Sequence, residues 1–366
     1  VILIVSDPLD GHVRLVTQRL QEKGGAVARI DLGEFPAEST LSCSVENGRP
    51  AGFRARRPRG DLDLTAVKTV WFRRLSDVRP DERLEGQDRE FVAKETNAHL
   101  MSLGIALRER FCVNPIDRAL ATDRGNGKVS QLEIARSLGL SVPRTLATND
   151  PEHAREFVLS CKGGAIYKPF LAPTRSRSLG PDTKKKAWST VFTTKIDEAA
   201  LAKLDGVRLA PCIFQEYVPK AVELRVTVIG SKVFATEIHS QVSEKSAVDF
   251  RAHYDLGNTP YFAHELPRPI EEKILAVNRE LGLVFGAHDL IKTPDGEYVF
   301  LEVNQQGQFL WLEEQTGQPL LDNFCELLLQ ARPDFRCDAP RHEPGLPQAP
   351  ELEARDKHLE AIDEDY

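Results

Sequence analysis

The sequence has no C-x-x-C pair, no Cys/His set at metal spacing, no long apolar run and no excess of basic charge. Its six cysteines, Cys43, Cys112, Cys161, Cys212, Cys325 and Cys337, are scattered, which excludes a zinc module or a dithiol redox motif. Several lie in apolar runs such as Leu209-Ala210-Pro211-Cys212-Ile213-Phe214, where a thiol behaves as a small buried hydrophobe. A reduced, cytoplasmic location is the expectation. The opening Val1-Ile2-Leu3-Ile4-Val5 is too short for a membrane span or a signal h-region, so no membrane partner is expected. A formal net charge of -7 argues against a general nucleic-acid binder, which needs a basic face. The basic clusters Arg54-Ala55-Arg56-Arg57-Pro58-Arg59 and Lys184-Lys185-Lys186 read as solvated loops. No G-x-G-x-x-G follows the first strand, so a dinucleotide-binding unit is excluded there.

What is present is the composition of an ordinary globular enzyme, and 366 residues suffice for two or three domains. A strand over 1–5, a helix over 10–23 with Val13, Val16 and Leu20 on one face, and a strand over 27–31 make a βαβ unit. That unit predicts a parallel sheet with right-handed crossovers. A hairpin over 41–45 and 52–56 turns at Asn47-Gly48. A strand over 69–73 follows, then one long helix over 89–109 with Phe91, Ala98, Leu103 and Leu107 buried. A second segment starts near Val113-Asn114-Pro115, with a helix over 123–138, a strand over 165–169 and a polar loop over 171–187. Strands over 212–218, 224–229 and 232–239, a helix over 270–281, a hairpin over 286–304 and a helix over 319–330 complete the folded part. The Pro-rich, acidic segment 336–366 reads as a disordered tail.

The strongest local signal for chemistry is the hairpin Gly286-Ala287-His288-Asp289-Leu290-Ile291-Lys292 and Glu297-Tyr298-Val299-Phe300-Leu301-Glu302-Val303-Asn304. A two-residue turn at Asp295-Gly296 places Asp289 opposite Glu302, with Asn304 on the same face. Two like charges in that arrangement call for compensation, and a hard cation such as magnesium supplies it. A solvent-facing polar stripe is the alternative. Lys168, in Ala165-Ile166-Tyr167-Lys168-Pro169, ends an apolar strand and is able to reach a phosphate. Lys128, in Gly127-Lys128-Val129, stands early in a helix whose N-terminus favours anions. Each lysine by itself is more often a surface charge. Gln215-Glu216-Tyr217-Val218-Pro219 closes a strand whose exposed backbone pair suits an adenine edge, and Glu223 follows within reach of ribose hydroxyls. Arg225 and Arg251 are candidates to grip a carboxylate or an acyl phosphate; a surface ion pair accounts for either equally well. His239, His253 and His288 read as packing residues.

Taken in order, the lysine before a V-P-x-T connector, the Y-K-P strand, the Q-E-Y-V hinge, the glutamate and the D…E-x-N hairpin resemble the ATP-grasp fold. The resemblance implies an α/β protein, with an N-terminal parallel-sheet pre-ATP-grasp domain over 1–112, a central lid domain over 113–210 and a C-terminal ATP-grasp domain over 211–335. It implies ATP and Mg²⁺ as cofactors. Lys128 and Lys168 would then hold phosphates, Glu216 and Val218 the adenine, flanked by Gln215 and Tyr217, and Glu223 the ribose; Asp289, Glu302 and Asn304 would hold magnesium. Within that superfamily, Trp71-Phe72-Arg73-Arg74, Val222-Glu223-Leu224-Arg225-Val226-Thr227-Val228, Ser240-Gln241, Val248-Asp249-Phe250-Arg251 and Gly307-Gln308-Phe309-Leu310-Trp311 resemble the microviridin-type, or graspetide, peptide maturases. That likeness implies a homodimer that grips the leader of a ribosomal precursor peptide and joins core carboxylates to hydroxyls or amines. Two departures stand out. Gln305 replaces the proline usual after the metal asparagine, and the 171–187 loop has only Gly180 where glycines usually cover phosphates; Arg175, Arg177 and Lys184 to Lys186 would substitute charge. Two rivals are a ligase acting on a small molecule or protein tail, with the same ATP site, and a non-catalytic nucleotide-binding scaffold, which predicts loss of the metal set. The tail allows an inert, an autoinhibitory or a partner-binding role.

Overall fold

The computed structural model describes residues 1–48, 52–115, 127–170, 193–242 and 259–345, and the backbone of Thr174–Ser178 and Lys186–Thr190. The first sheet is parallel, in the order Val27–Ile30, Ile2–Ser6, Thr69–Arg74, Phe111–Val113. Its strands are apolar because helices cover both faces, and Ile2–Ser6 is buried at every position. The helix Gly11–Glu22 begins where the Asp10 carboxylate accepts the His12 and Val13 N–H groups at 2.9 and 3.1 Å, satisfying donors that a first turn leaves without partners. Its Val13, Leu15, Val16 and Leu20 share one core with the C-terminal helix Leu320–Gln330. The last helix therefore closes the core of the first sheet.

On the opposite face of that sheet the expected long helix is two, Gly86–Leu100 and Ser102–Leu107. Leu103 and Leu107 are buried as expected, but Phe91 is 63% exposed and Ala98 is exposed. The apolar spacing reports burial only for the second helix; the first meets the core through Leu100 alone. The expected hairpin forms between Thr40–Ser44 and Gly52–Arg56, its first strand one residue earlier than expected, and Ser44 pairs with Gly52, a register that a two-residue turn at Asn47-Gly48 would not give.

A central antiparallel sheet runs Thr194–Lys195, Ala165–Lys168, Cys212–Glu216, Thr145–Thr148. The strand Cys212–Glu216, assigned from the sequence to the segment beginning at 211, lies inside this sheet. The helix Lys128–Ser137, assigned to the central segment, packs on the C-terminal sheet instead. Pairing between distant strands decides both placements. Within the expected polar loop, Thr174–Ser178 and Lys186–Thr190 pair as antiparallel strands; Arg175 and Arg177 are on the first, while Gly180, Lys184 and Lys185 lie outside the described residues.

The C-terminal sheet is antiparallel, in the order Tyr261–His264, Lys232–Ile238, Val222–Ile229, Phe285–Lys292, Tyr298–Asn304. Helices Lys128–Ser137 and Arg268–Glu280 cover one face, and Leu310–Thr316 with Leu320–Gln330 adjoin the other. No helix among the described residues is long and apolar enough to cross a membrane.

Residues 336–345, expected to be part of a disordered tail, are held on the body. The Arg336 N–H donates to Gln330 Oε1 at 3.0 Å, the Arg341 Nε to the Thr316 carbonyl at 3.0 Å, and the His342 N–H to the Gly317 carbonyl at 2.9 Å. Residues 346–366 lie outside the described residues. Burial raises the Glu313 carboxyl above the ordinary glutamate range, and the hydrogen bond to Glu313 raises His342. Both folded-state values exceed the unfolded ones. Their stabilisation is therefore complete below the ordinary values of 4.5 and 6.5 and is lost as pH rises through the folded values. Docking of 336–345 should weaken as pH rises above the ordinary histidine value, read as faster exchange of the His342 amide after correction for its intrinsic rate. His342→Gln should flatten this dependence; equal pH sensitivity in that variant would show that other groups control the segment.

Candidate active site

The hairpin that carries Asp289 and Glu302 reaches its register by a different route from the one expected. The Thr293 carbonyl accepts the Gly296 N–H at 2.9 Å, and the Thr293 N–H donates to the Glu297 carbonyl at 2.9 Å. Gly296 has φ of +85°, so the loop is Pro294-Asp295-Gly296, closed by a left-handed glycine. One residue more than a two-residue turn shifts the adjacent pairs, and Leu290 faces Phe300. A bulge between Asp289 and Leu290 then absorbs Leu301 and sets Asp289 opposite Glu302. The two irregularities cancel. The bulge also brings both Leu301 and Glu302 to the wall of one cleft, the re-aiming that bulges provide.

That cleft lies between the central and C-terminal sheets. Asp289 and Glu302 form one part of its wall, Lys168 and Glu223 another, and the strand end Gln215, Glu216, Tyr217 and Val218 a third. Ile166, Ile291 and Leu301 add apolar surface. Lys128 reaches the same place from its helix: its Nζ donates to the Pro169 carbonyl at 2.9 Å and lies 3.5 Å from Glu302 Oε2. The Glu216 and Tyr217 N–H groups donate to the carbonyls of Arg144 and Gly164, each at 2.9 Å. Gln215 is buried, donates to Thr145 Oγ1 at 3.0 Å, and keeps its own amide oxygen without a partner among the described residues. Such an orphaned acceptor on a cleft wall suits a ligand that donates.

Lys220 escaped the sequence reading. Its side chain is 4% exposed and its Nζ is 2.8 Å from Glu223 Oε1; Ser240 Oγ donates to the same oxygen at 2.6 Å. The signal was the three-residue spacing to Glu223. Arg225 donates through Nη1 to Asp289 at 2.7 Å and through Nη2 to the Gln308 carbonyl at 3.4 Å. Arg251 and His253 lie outside the described residues. Asn304 pairs with Ala287, is exposed, and its amide oxygen accepts the Gln306 N–H at 2.9 Å. It therefore sits beside the two carboxylates rather than between them. His288 is fully buried against Asn278, 2.8 Å away. Burial, aided by Arg225, pushes it down to about 3, so it is a neutral packing residue at physiological pH. His239 bonds Glu237 at 3.0 Å and meets the Phe262 ring edge-on.

The donor set fits magnesium. Asp289 and Glu302 supply hard oxygens on a cleft wall, and each carries a cation neighbour, Arg225 and Lys128, that relieves their mutual repulsion. No cluster of three or more His, Cys, Asp or Glu able to hold a metal occurs among the described residues. Two carboxylates are what a cation needs when phosphates and water complete its shell.

An antiparallel sheet carrying an Asp–Glu pair, facing a lysine-bearing sheet across a cleft with a parallel sheet in front of both, is the architecture of the ATP-grasp fold. Residues 1–119 match the family described as the MvdD pre-ATP grasp domain. The likeness to graspetide maturases holds over most of the chain. The structure of macrocyclase MdnC from Microcystis aeruginosa MRC, bound with precursor peptide MdnA, is 29% identical and superimposes with a TM-score of 0.76, covering 90% of this chain and 99% of that one. A RiPP-associated ATP-grasp ligase from Chryseobacterium gregarium, in complex with ADP and a leader and core peptide, is 28% identical, with a TM-score of 0.76 over 94% of this chain and 99% of that one. A Vibrio atlanticus protein described as "Probable alpha-L-glutamate ligase" is 23% identical over 60% of this chain and 67% of its own length.

Proposed function

We propose that the chain binds Mg-ATP in this cleft, phosphorylates side-chain carboxylates of a ribosomal precursor peptide, and closes each acyl phosphate into an intramolecular ester or amide. The observation that carries this reading is the convergence of Lys168, Gln215 to Val218, Glu223, Asp289 and Glu302 on one cleft. Ile166 and Leu301 would flank the adenine, the Gln215 amide oxygen would accept from it, and the backbone of Glu216 and Val218 would meet its edge. Glu223, held by Lys220 and Ser240, would face the ribose hydroxyls. Lys128 and Lys168 neutralise phosphate charge. Magnesium, held by Asp289, Glu302 and Asn304, would screen the phosphates during transfer. A peptide carboxylate oxygen attacks the γ-phosphorus and ADP leaves. A hydroxyl or amine then attacks the acyl carbon, loses its proton and expels phosphate. Arg225 steadies the carboxylate or acyl phosphate, with Arg251 as the second candidate. The proposal includes a homodimer acting in the cytoplasm on the leader and core of its precursor.

The test mixes the protein, Mg-ATP and the peptide encoded beside its gene, following ADP release and intact mass. Loss of water units, abolished in Lys168→Ala, is the expected result. The glutamate-ligase relatives favour one rival: ADP release with glutamate and an unmodified peptide would establish that reading instead.

A further inference from the structure

The segment after Asn304 is held in an unusual way. Four consecutive carbonyls, Gln305 to Gln308, each accept from a side chain elsewhere in the chain. Asn114 Nδ2 donates to Gln305 at 2.8 Å. Arg73 Nη1 donates to Gln306 and, at 3.3 Å, to Gly307. Arg225 Nη2 donates to Gln308 at 3.4 Å. His12 Nε2 then accepts the N–H groups of Phe309 and Leu310 at 3.1 and 3.2 Å. A loop with backbone groups so fully engaged has one position available to it.

Arg73 is the member with the least freedom. Its side chain is 2% exposed, as is that of Asp10, whose Oδ2 lies 3.2 Å from Arg73 Nε. Burial pushes the Arg73 guanidinium down to about 10, with Asp10 pulling the other way, so it stays charged at neutral pH. Asp10 is itself fixed as the cap of Gly11–Glu22. On the far side of the segment, a Cβ on Gly307 would meet Ala287 Cβ at 2.4 Å, Arg225 Nη2 at 3.1 Å and Asn304 Cβ at 3.4 Å. The segment is thus wedged between the first sheet and the strand that bears Asp289.

We infer that Arg73, anchored on Asp10, is a positioning residue for the metal site: it carries the backbone that sets where Asn304 and Arg225 stand beside Asp289. The first domain then helps to build the magnesium site while contributing no ligand. Groups that orient ligands from behind commonly tune metal affinity or activity by about 10–100-fold. This inference rests on the ATP-site reading.

The test uses the full chain carrying Asp10→Asn with Arg73→Met, a swap that keeps a capping side chain and removes both buried charges together. ADP binding is titrated against Mg²⁺ by calorimetry, without peptide, and thermal unfolding checks the fold. The expected result is a folded protein whose half-saturating Mg²⁺ rises by about 10-fold or more, with peptide KM unchanged and kcat lowered. Arg73→Lys, which keeps the charge but offers no planar fork, should recover part of the loss. Gly307→Ala, pushing the same segment from the other side, should reproduce the shift; it decides the matter if the double variant does not fold. A folded variant with wild-type Mg²⁺ dependence and kcat overturns the inference. Wild-type protein whose ADP binding ignores Mg²⁺ overturns the ATP-site reading and the inference with it.

Discussion

Asp289→Asn should lower ligase turnover by about 10²-fold or more while leaving the protein folded. The amide preserves the shape of the side chain and one oxygen toward Arg225, now 2.7 Å from the carboxylate. It removes the negative charge that, with Glu302, would hold a divalent cation against nucleotide phosphates. It also leaves Arg225, whose side chain is only 11% exposed, facing a neutral partner, and a buried charge deprived of its counter-charge is costly. Two effects should therefore appear together in steady-state kinetics at graded Mg²⁺. The kcat should fall, and the Mg²⁺ needed for half-maximal rate should rise. Since Asn still accepts from the guanidinium, the unfolding midpoint should move far less than the rate does. Wild-type turnover in a folded Asp289→Asn protein would remove the hairpin carboxylates from the chemistry altogether.

Phe324→Ala should cost about 3–5 kcal/mol of stability, the usual range for emptying a large aromatic site. Phe324 has no exposed surface. Its ring lies 4.9 Å from Trp71 of the first sheet, 5.6 Å from Phe285 of the C-terminal sheet and 5.0 Å from Phe309 of the wedged segment. One cavity would thus loosen three parts at once. A loss of that size is a large fraction of the margin by which proteins stay folded. Denaturant unfolding followed both by Trp fluorescence and by far-UV dichroism measures it, and Phe324→Leu should cost markedly less. A midpoint shift confined to one probe would show that the sheets unfold independently of this shared core.

Several of the interactions that matter here were legible because they are local. The face of Gly11–Glu22, the apolar strands and the Asp289–Glu302 pair all follow from spacings of a few residues, where periodicity and turn chemistry operate. Even there the pair arises by another route than a two-residue turn, since the three-residue loop and the compensating bulge leave the Asp289–Glu302 pairing unchanged. Lys220 carries no such distinctive local signal, because a lysine three residues from a glutamate is ordinary surface sequence; only burial to 4% exposure marks it out. Phe91 was misplaced for the converse reason: helical spacing says which residues share a face, not whether anything covers that face.

By itself, then, the sequence determined the kind of sheet at each end and the hairpin that opposes two carboxylates, because each depends on neighbours within one element or one turn. Tertiary structure alone decided that Cys212–Glu216 belongs to the central sheet, that the last helix completes the first core, and that Arg73 carries the backbone of Gln306 across 233 positions of chain. Contacts of that reach arise only when whole sheets are packed face to face and a buried guanidinium must find its acceptors wherever the packing puts them.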